Sequence, residues 1–275
     1  HGTASNTSGG FGDLRTGSAE WESLEKTFGR RIYAYEHHTL SASPAENALH
    51  LVTSLPEGAR LRVVTHSRGG LVGDLLCLHE LSDDEIEAWT RVPGPGVAAD
   101  ELAAVTRRER ELLGKLRAAL ASKKLVRERY VRVACPARGT LLASANLDVF
   151  LSGLLSVVGT VSGLRASGIY SGLARLVLEI AKRRMDPQVI PGIEAMLPDA
   201  PMASLLARAS RAPGLQVSVI AGDIEGGGIW QRLGVLLADW MLFDRLDNDL
   251  VVDTDSMYEG LARDGGASAL FDQGP

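Results

Sequence analysis

Cysteine is scarce in this sequence: Cys77 and Cys135 are the only two among 275 residues. Two thiols cannot staple a chain of this length, so a disulfide scaffold is excluded. Both sit among apolar neighbours and read as small buried hydrophobes in a reducing compartment. A cationic excess is also missing. Lys and Arg number 29 against 34 Asp and Glu, a formal net charge of −5, so no nucleic-acid partner is expected. Glycine (30) and proline (11) fall far short of a collagen, and a hydrophobic content of 45% excludes general disorder. Histidine vanishes after residue 79: the six are His1, His37, His38, His50, His66 and His79. The sequence opens directly on His1-Gly2, with neither an initiator Met nor a signal-peptide pattern. The expected location is therefore the cytoplasm. The chain reads as a segment of a longer protein, with other domains of that protein as partners.

What is present fits one large α/β domain spanning 1–275. Leu61-Arg62-Val63-Val64-Thr65 reads as a short buried strand, running through a glycine-bearing turn into an apolar helix over 71–78. Residues 20–28 place Trp21, Leu24 and Phe28 on one helical face, and Ile32-Tyr33-Ala34-Tyr35 is strand-like. Ser43 is the expected N-cap of a helix with Pro44 at its first position and Glu46 three residues after the cap. Further strands are expected over 130–135, stopped by Pro136, and over 215–221, stopped by Gly222. Strands alternating with helices predict a mainly parallel sheet with helices on both faces.

Two stretches break this rhythm. Residues 81–125 are charged and helical from Asp100 onward, after a Pro93-Gly94-Pro95-Gly96 loop, and read as a solvated helix over the sheet edge. Residues 147–164 are apolar and reach the lower limit of a membrane span. Asp148, Gly153, Gly159 and Gly163 favour a buried or pocket-covering helix there, with interfacial membrane contact as a further reading. Amphipathic helices are expected around 170–184 and 201–211.

The most informative residues are Thr65-His66-Ser67-Arg68-Gly69-Gly70. A serine between a strand end and a helix start sits on a sharp turn and projects its hydroxyl from the carboxyl edge of the sheet. Small residues two before and two after let neighbouring backbones approach. Gly69 meets this need, while Thr65 stands where glycine is usual. The following helix points its amides and dipole at the site, favouring a developing oxyanion. The competing reading is a serine N-cap with glycines for packing.

His1-Gly2-Thr3 opens on a polar, glycine-rich loop. Together with the serine turn, it makes the chain resemble the α/β-hydrolase superfamily in its lipase and esterase branch. The resemblance implies an oxyanion hole built from the backbone N–H groups of Thr3 and Arg68, with His1, Gly2, His66, Gly69 and Gly70 supporting the motifs. Asn248-Asp249-Leu250-Val251-Val252 is similar to the N-D-x-x-V segment of bacterial lipases, which implies Asp249 as the triad acid. Asp223, just past the strand ending at Ala221, is the alternative acid, and a turn-forming Asn-Asp pair is the structural alternative for Asp249. The resemblance covers the chain from His1 to about Met257. Residues 146–211 form the expected cap insertion, entered through Pro136-Ala137-Arg138-Gly139-Thr140, either gating an apolar pocket or simply covering the sheet.

One part is missing. The superfamily order is Ser, then acid, then His, yet no histidine follows Asp249. His66 is expected to be unable to turn back onto Ser67 and His79 to lie on the helix after the turn, while His37 and His38, after a strand, read as a loop pair exposed to water, with a place on the pocket rim as the alternative. Ligand spacing gives no metal site, and no cofactor is expected. The base is expected beyond Pro275. The implied activity is hydrolysis of a lipid-like or other apolar acyl ester through Ser67. The alternative is a catalytically inactive, hydrolase-like interaction module of a multidomain protein.

Overall fold

A computed structural model describes residues 1–3, 6–12, 14, 16–90, 99–139, 191–196, 200–221 and 257–263. Its described strands are β1 (Arg60–His66), β2 (Val126–Val133) and β3 (Gln216–Ile220), which lie in that order and pair in parallel. Parallel neighbours need a long crossover. Between β1 and β2 it includes α4 (Gly69–Leu76), α5 (Asp83–Ala88) and α6 (Ala99–Lys123). The other described helices are α1 (Thr7–Phe11), α2 (Ala19–Phe28), α3 (Pro44–Ser54), α7 (Pro191–Glu194) and α8 (Pro201–Arg208). The chain is thus α/β with a small parallel sheet.

Alternation decides which side of the sheet is buried. Leu61, Val63 and Thr65 of β1 share a face with Tyr130 and Arg132 of β2 and Val217 of β3, and this face packs on α4. Residues of α3, α6 and α8 join the same core cluster. The opposite face is open at Val64 and Ile220, although the Arg62 guanidinium lies over the Phe28 ring of α2 at 5.3 Å. A register shift opposite Leu61/Arg62 sets Glu128 apart in β2, and its carboxylate accepts from Arg60 and from Arg62 Nε (3.0 Å).

Several expectations change in register. The second strand begins at Val126, four residues before its expected start, because Arg127, Glu128 and Arg129 obscure the strand pattern in sequence. It ends at Val133, since Ala134 turns to φ 46 before Pro136 is reached. The Ile32-Tyr35 segment, expected as a strand, has no strand assignment and pairs with no described strand. The Ser43 cap is as expected, its Oγ accepting from the Glu46 amide at 3.2 Å. Glu46 turns its carboxylate to Arg108 of α6 instead, at 2.9 Å. The long helix is not simply solvated: Leu113 and Leu116 are fully buried, and α6 packs along α3. Among the described residues no helix is long and apolar enough to cross a membrane. Residues 147–164, the Pro93–Gly96 loop and most of the expected cap lie outside them.

Deep in the core, Arg132 of β2 donates to Asp74 of α4 at 2.6 Å, with both side chains at 0% exposure. Arg132 also donates to the carbonyls of Met257 and Glu259, while Asp74 accepts from the Leu261 amide at 3.2 Å. Burial pushes the Asp74 carboxyl up, opposed by Arg132 and by its hydrogen bonds. Burial draws Arg132 down, but Asp74 together with Cys135 and Tyr130 more than offsets this, and the guanidinium stays charged. Between them Gly260 (φ 86) leaves no room for a side chain: a Cβ would stand 2.6 Å from both Arg132 Nη1 and Asp74 Oδ2.

Removing one partner leaves a bare buried charge. Asp74→Ala is expected to lose about 3–5 kcal/mol in urea unfolding. Arg60→Ala, which disrupts the exposed pair with Glu128, is expected to leave the midpoint close to wild type; equal effects of the two would refute this assignment.

Candidate functional site

Ser67 follows β1 directly and adopts φ 53, a left-handed conformation that non-glycine residues rarely take. Its amide donates to the Val133 carbonyl at 2.8 Å, so the strand ladder continues up to the turn. Its carbonyl then accepts from Gly70 at 2.8 Å as α4 begins. The serine is half-buried, and its hydroxyl has no hydrogen-bond partner among the described residues.

Glycines make the turn possible. A Cβ on Gly69 would lie 2.8 Å from the His1 carbonyl oxygen. One on Gly70 would lie 2.3 Å from Cys135 Sγ, and one on Gly73 would lie 2.6 Å from the Tyr130 hydroxyl oxygen and 2.8 Å from Thr65 Cγ2. Thr65 is tolerated in place of the usual glycine because Gly73 yields the space across the helix–sheet contact. The Thr65 hydroxyl donates to the Tyr130 oxygen (3.3 Å), and Tyr130 in turn donates to the Gly70 carbonyl (2.8 Å).

The His1-Gly2-Thr3 segment lies against this turn. A Cβ on Gly2 would stand 2.9 Å from Ser67 Cβ and 3.2 Å from its Oγ. The amides of Thr3 and Arg68 have no hydrogen-bond partner among the described residues. Thr3 is buried and donates its hydroxyl to Met196 Sδ at 3.2 Å. Arg68 is fully buried: Nε–H donates to the Gly192 carbonyl (3.0 Å) and Nη2–H to the Ala42 carbonyl (2.7 Å). Burial lowers Arg68 to about 10, opposed by Glu109, so it stays charged at neutral pH. Sequence reasoning valued Arg68 only for its amide; the side chain's role depends on carbonyls distant in sequence.

The histidines divide sharply. His1 and His37 stack with ring centroids 4.0 Å apart, and Tyr35 continues the stack at 5.4 Å from His37. The His37 amide donates to His1 Nε2 (3.2 Å), so Nδ1 carries the proton and donates to the Gly2 carbonyl (3.2 Å). The Glu36 carboxylate, also 3.2 Å from Nε2, forms an ion pair only when that imidazole is doubly protonated. The expectation of an exposed pair thus holds for His38 alone, because His37 is half-buried against His1. His66 packs edge-on to Phe11 (6.4 Å), and its Nδ1 approaches the Gly2 and Gly10 backbones without a hydrogen-bond partner among the described residues. Burial lowers its pKa. His79 is not on the helix after the turn: α4 stops at Leu76, and the His79 amide bonds the Ser210 carbonyl at 2.8 Å. None of the six histidines hydrogen-bonds Ser67. Asp249 and Asp223 lie outside the described residues.

The family described as Domain of unknown function (DUF7379) matches residues 1–92 and 104–271, and the chain belongs to that family. No curated protein matches the chain.

Burial lowers His37 from its ordinary value to about 3. Between pH 6.5 and 3 the unfolded chain therefore binds a proton that the folded chain does not, and stability falls as pH drops through that window. Urea unfolding at about pH 7.5 and 5 is expected to show wild type losing on the order of 1–2 kcal/mol more than His37→Gln. Equal losses would place His37 in water.

Proposed function

We propose that this member of a family of unknown function is a serine hydrolase of the α/β-hydrolase fold that cleaves a carboxylic ester with a lipid-like or other apolar acyl group. The carrying observation is Ser67, held at φ 53 between a parallel strand and an apolar helix. A strained serine at that junction presents its hydroxyl over the carboxyl edge of the sheet. Two further features support the reading. The amides of Thr3 and Arg68 are free among the described residues, and Gly2 brings the first of these residues beside the serine. Donors already in place when charge develops lower the barrier without reorganisation.

In the proposed reaction, Ser67 Oγ attacks the ester carbonyl while a histidine takes its proton. The tetrahedral oxyanion rests on the Thr3 and Arg68 amides. The histidine returns the proton to the departing alcohol, leaving an acyl-serine. Water, deprotonated by the same base, then releases the acid and restores Ser67. Asp249 is assigned to orient that histidine, with Asp223 as the alternative, and the base is assigned beyond Pro275. The apolar acyl preference follows from the stretch 147–164 as lining for a pocket. The chemistry calls on no metal or organic cofactor.

One observation favours a second reading, that of an inactive interaction module: no histidine of the chain reaches the Ser67 hydroxyl. A fluorophosphonate probe on the full-length protein separates the two. Covalent labelling, lost completely in Ser67→Ala, is the expected result; a folded full-length protein that never labels would establish the module.

A further inference from the structure

We infer that the Arg68 side chain is a positioning residue that holds the two oxyanion amides in one frame through the 191–196 segment; this rests on the hydrolase reading. Three contacts carry it. From the nucleophile turn, the Arg68 fork reaches two separate segments, donating to Gly192 at 3.0 Å and to Ala42 at 2.7 Å. Those segments are joined to each other, since the Gly192 amide donates to the Leu40 carbonyl at 3.1 Å. A few residues on, Met196 accepts the Thr3 hydroxyl at 3.2 Å. A single short stretch therefore touches the side chains of both residues whose amides are assigned to the oxyanion.

The fit at this stretch is tight. A Cβ on Gly192 would lie 2.2 Å from the Thr39 carbonyl oxygen and 2.5 Å from Leu40 Cα, so the backbones meet directly. A guanidinium suits this task because its donors are fixed in a plane and each contact sets a direction. Burying a cation costs desolvation that an apolar side chain of the same volume avoids, and the Glu109 carboxylate offsets only part of that cost. Space filling alone does not call for the charge, whereas directional bonding does. An amide moved by about 1 Å from the place of the developing oxyanion loses on the order of 100-fold in rate.

The test compares Arg68→Met, Arg68→Lys and Met196→Leu with wild type in the full-length protein. Arg68→Met keeps the bulk without the fork, Lys keeps the charge with a single donor group, and Met196→Leu removes only the sulfur acceptor at the far end. Ester turnover is expected to fall about 100-fold in kcat for Arg68→Met, with KM within about twofold of wild type. Lys should recover part of the loss, and Met196→Leu should show a smaller fall, also confined to kcat. Amide hydrogen exchange at 1–3, 39–42 and 191–196 should quicken in Arg68→Met. Folded Arg68→Met with wild-type kcat, or with unchanged exchange at those segments, overturns the inference. If wild type neither turns over nor labels, the hydrolase reading fails and takes the catalytic assignment with it, while the exchange data still decide whether Arg68 couples the segments.

Discussion

Asp74 and Arg132 meet at 2.6 Å in a part of the core with no exposure to solvent, and the arrangement of the site follows from that meeting. Two charges taken out of water are held in place by their mutual attraction and by the further hydrogen bonds that each finds. Here Arg132 Nη2 donates to the Met257 and Glu259 carbonyls and Asp74 Oδ2 accepts the Leu261 amide, while Arg132 Nε and Asp74 Oδ1 have no hydrogen-bond partner among the described residues. The pair thus locks α4 to β2 and brings the 257–261 stretch onto both. With α4 so fixed, its first turn stands beneath Ser67, and the serine has little choice but the left-handed bend observed at φ 53.

The space for that bend comes from glycine, distributed differently from the usual pattern. Thr65 occupies a position where a glycine would relieve crowding, and Gly73 relieves it from the opposite side. The result is a polar seam inside an otherwise apolar contact, running from Thr65 through the Tyr130 hydroxyl to the Gly70 carbonyl. Burial drives the Tyr130, Cys77 and Cys135 acidities far from the range of reactive groups. These residues pack and hydrogen-bond within the core.

Much of this was legible in the residues. The Ser43 cap, the strand into Ser67, the glycines after it and the parallel relation of the strands all follow from local rules: side-chain oxygens capping helices, period-two burial, and crossovers between parallel neighbours. The start of β2 was hidden by Arg127, Glu128 and Arg129, whose charges suit a solvated helix until β1 lies alongside. Ile32-Tyr35 shows the converse: its β-branched and aromatic residues favour a strand, but a strand also needs a neighbour. Asp74 left a faint signal as the lone acid in an apolar helix, and Arg132 left one as an inward position on a strand. Neither named the other, because they stand 58 residues apart in the chain.

The sequence by itself determined the chemistry available: one serine with two glycines just after it at a strand-to-helix junction, a His-Gly dipeptide at the head of a loop, and no histidine after residue 79. These are properties of neighbours along the chain, where backbone sterics and hydrogen-bonding rules act over a few residues. Only the tertiary structure decided that Gly2 rests on Ser67, that His37 stacks on His1 while His38 faces water, and that the Arg68 fork ties Ala42 to Gly192. Such contacts join residues far apart in sequence. They are selected by the packing of the whole core and by the cost of leaving a buried donor or charge without a partner.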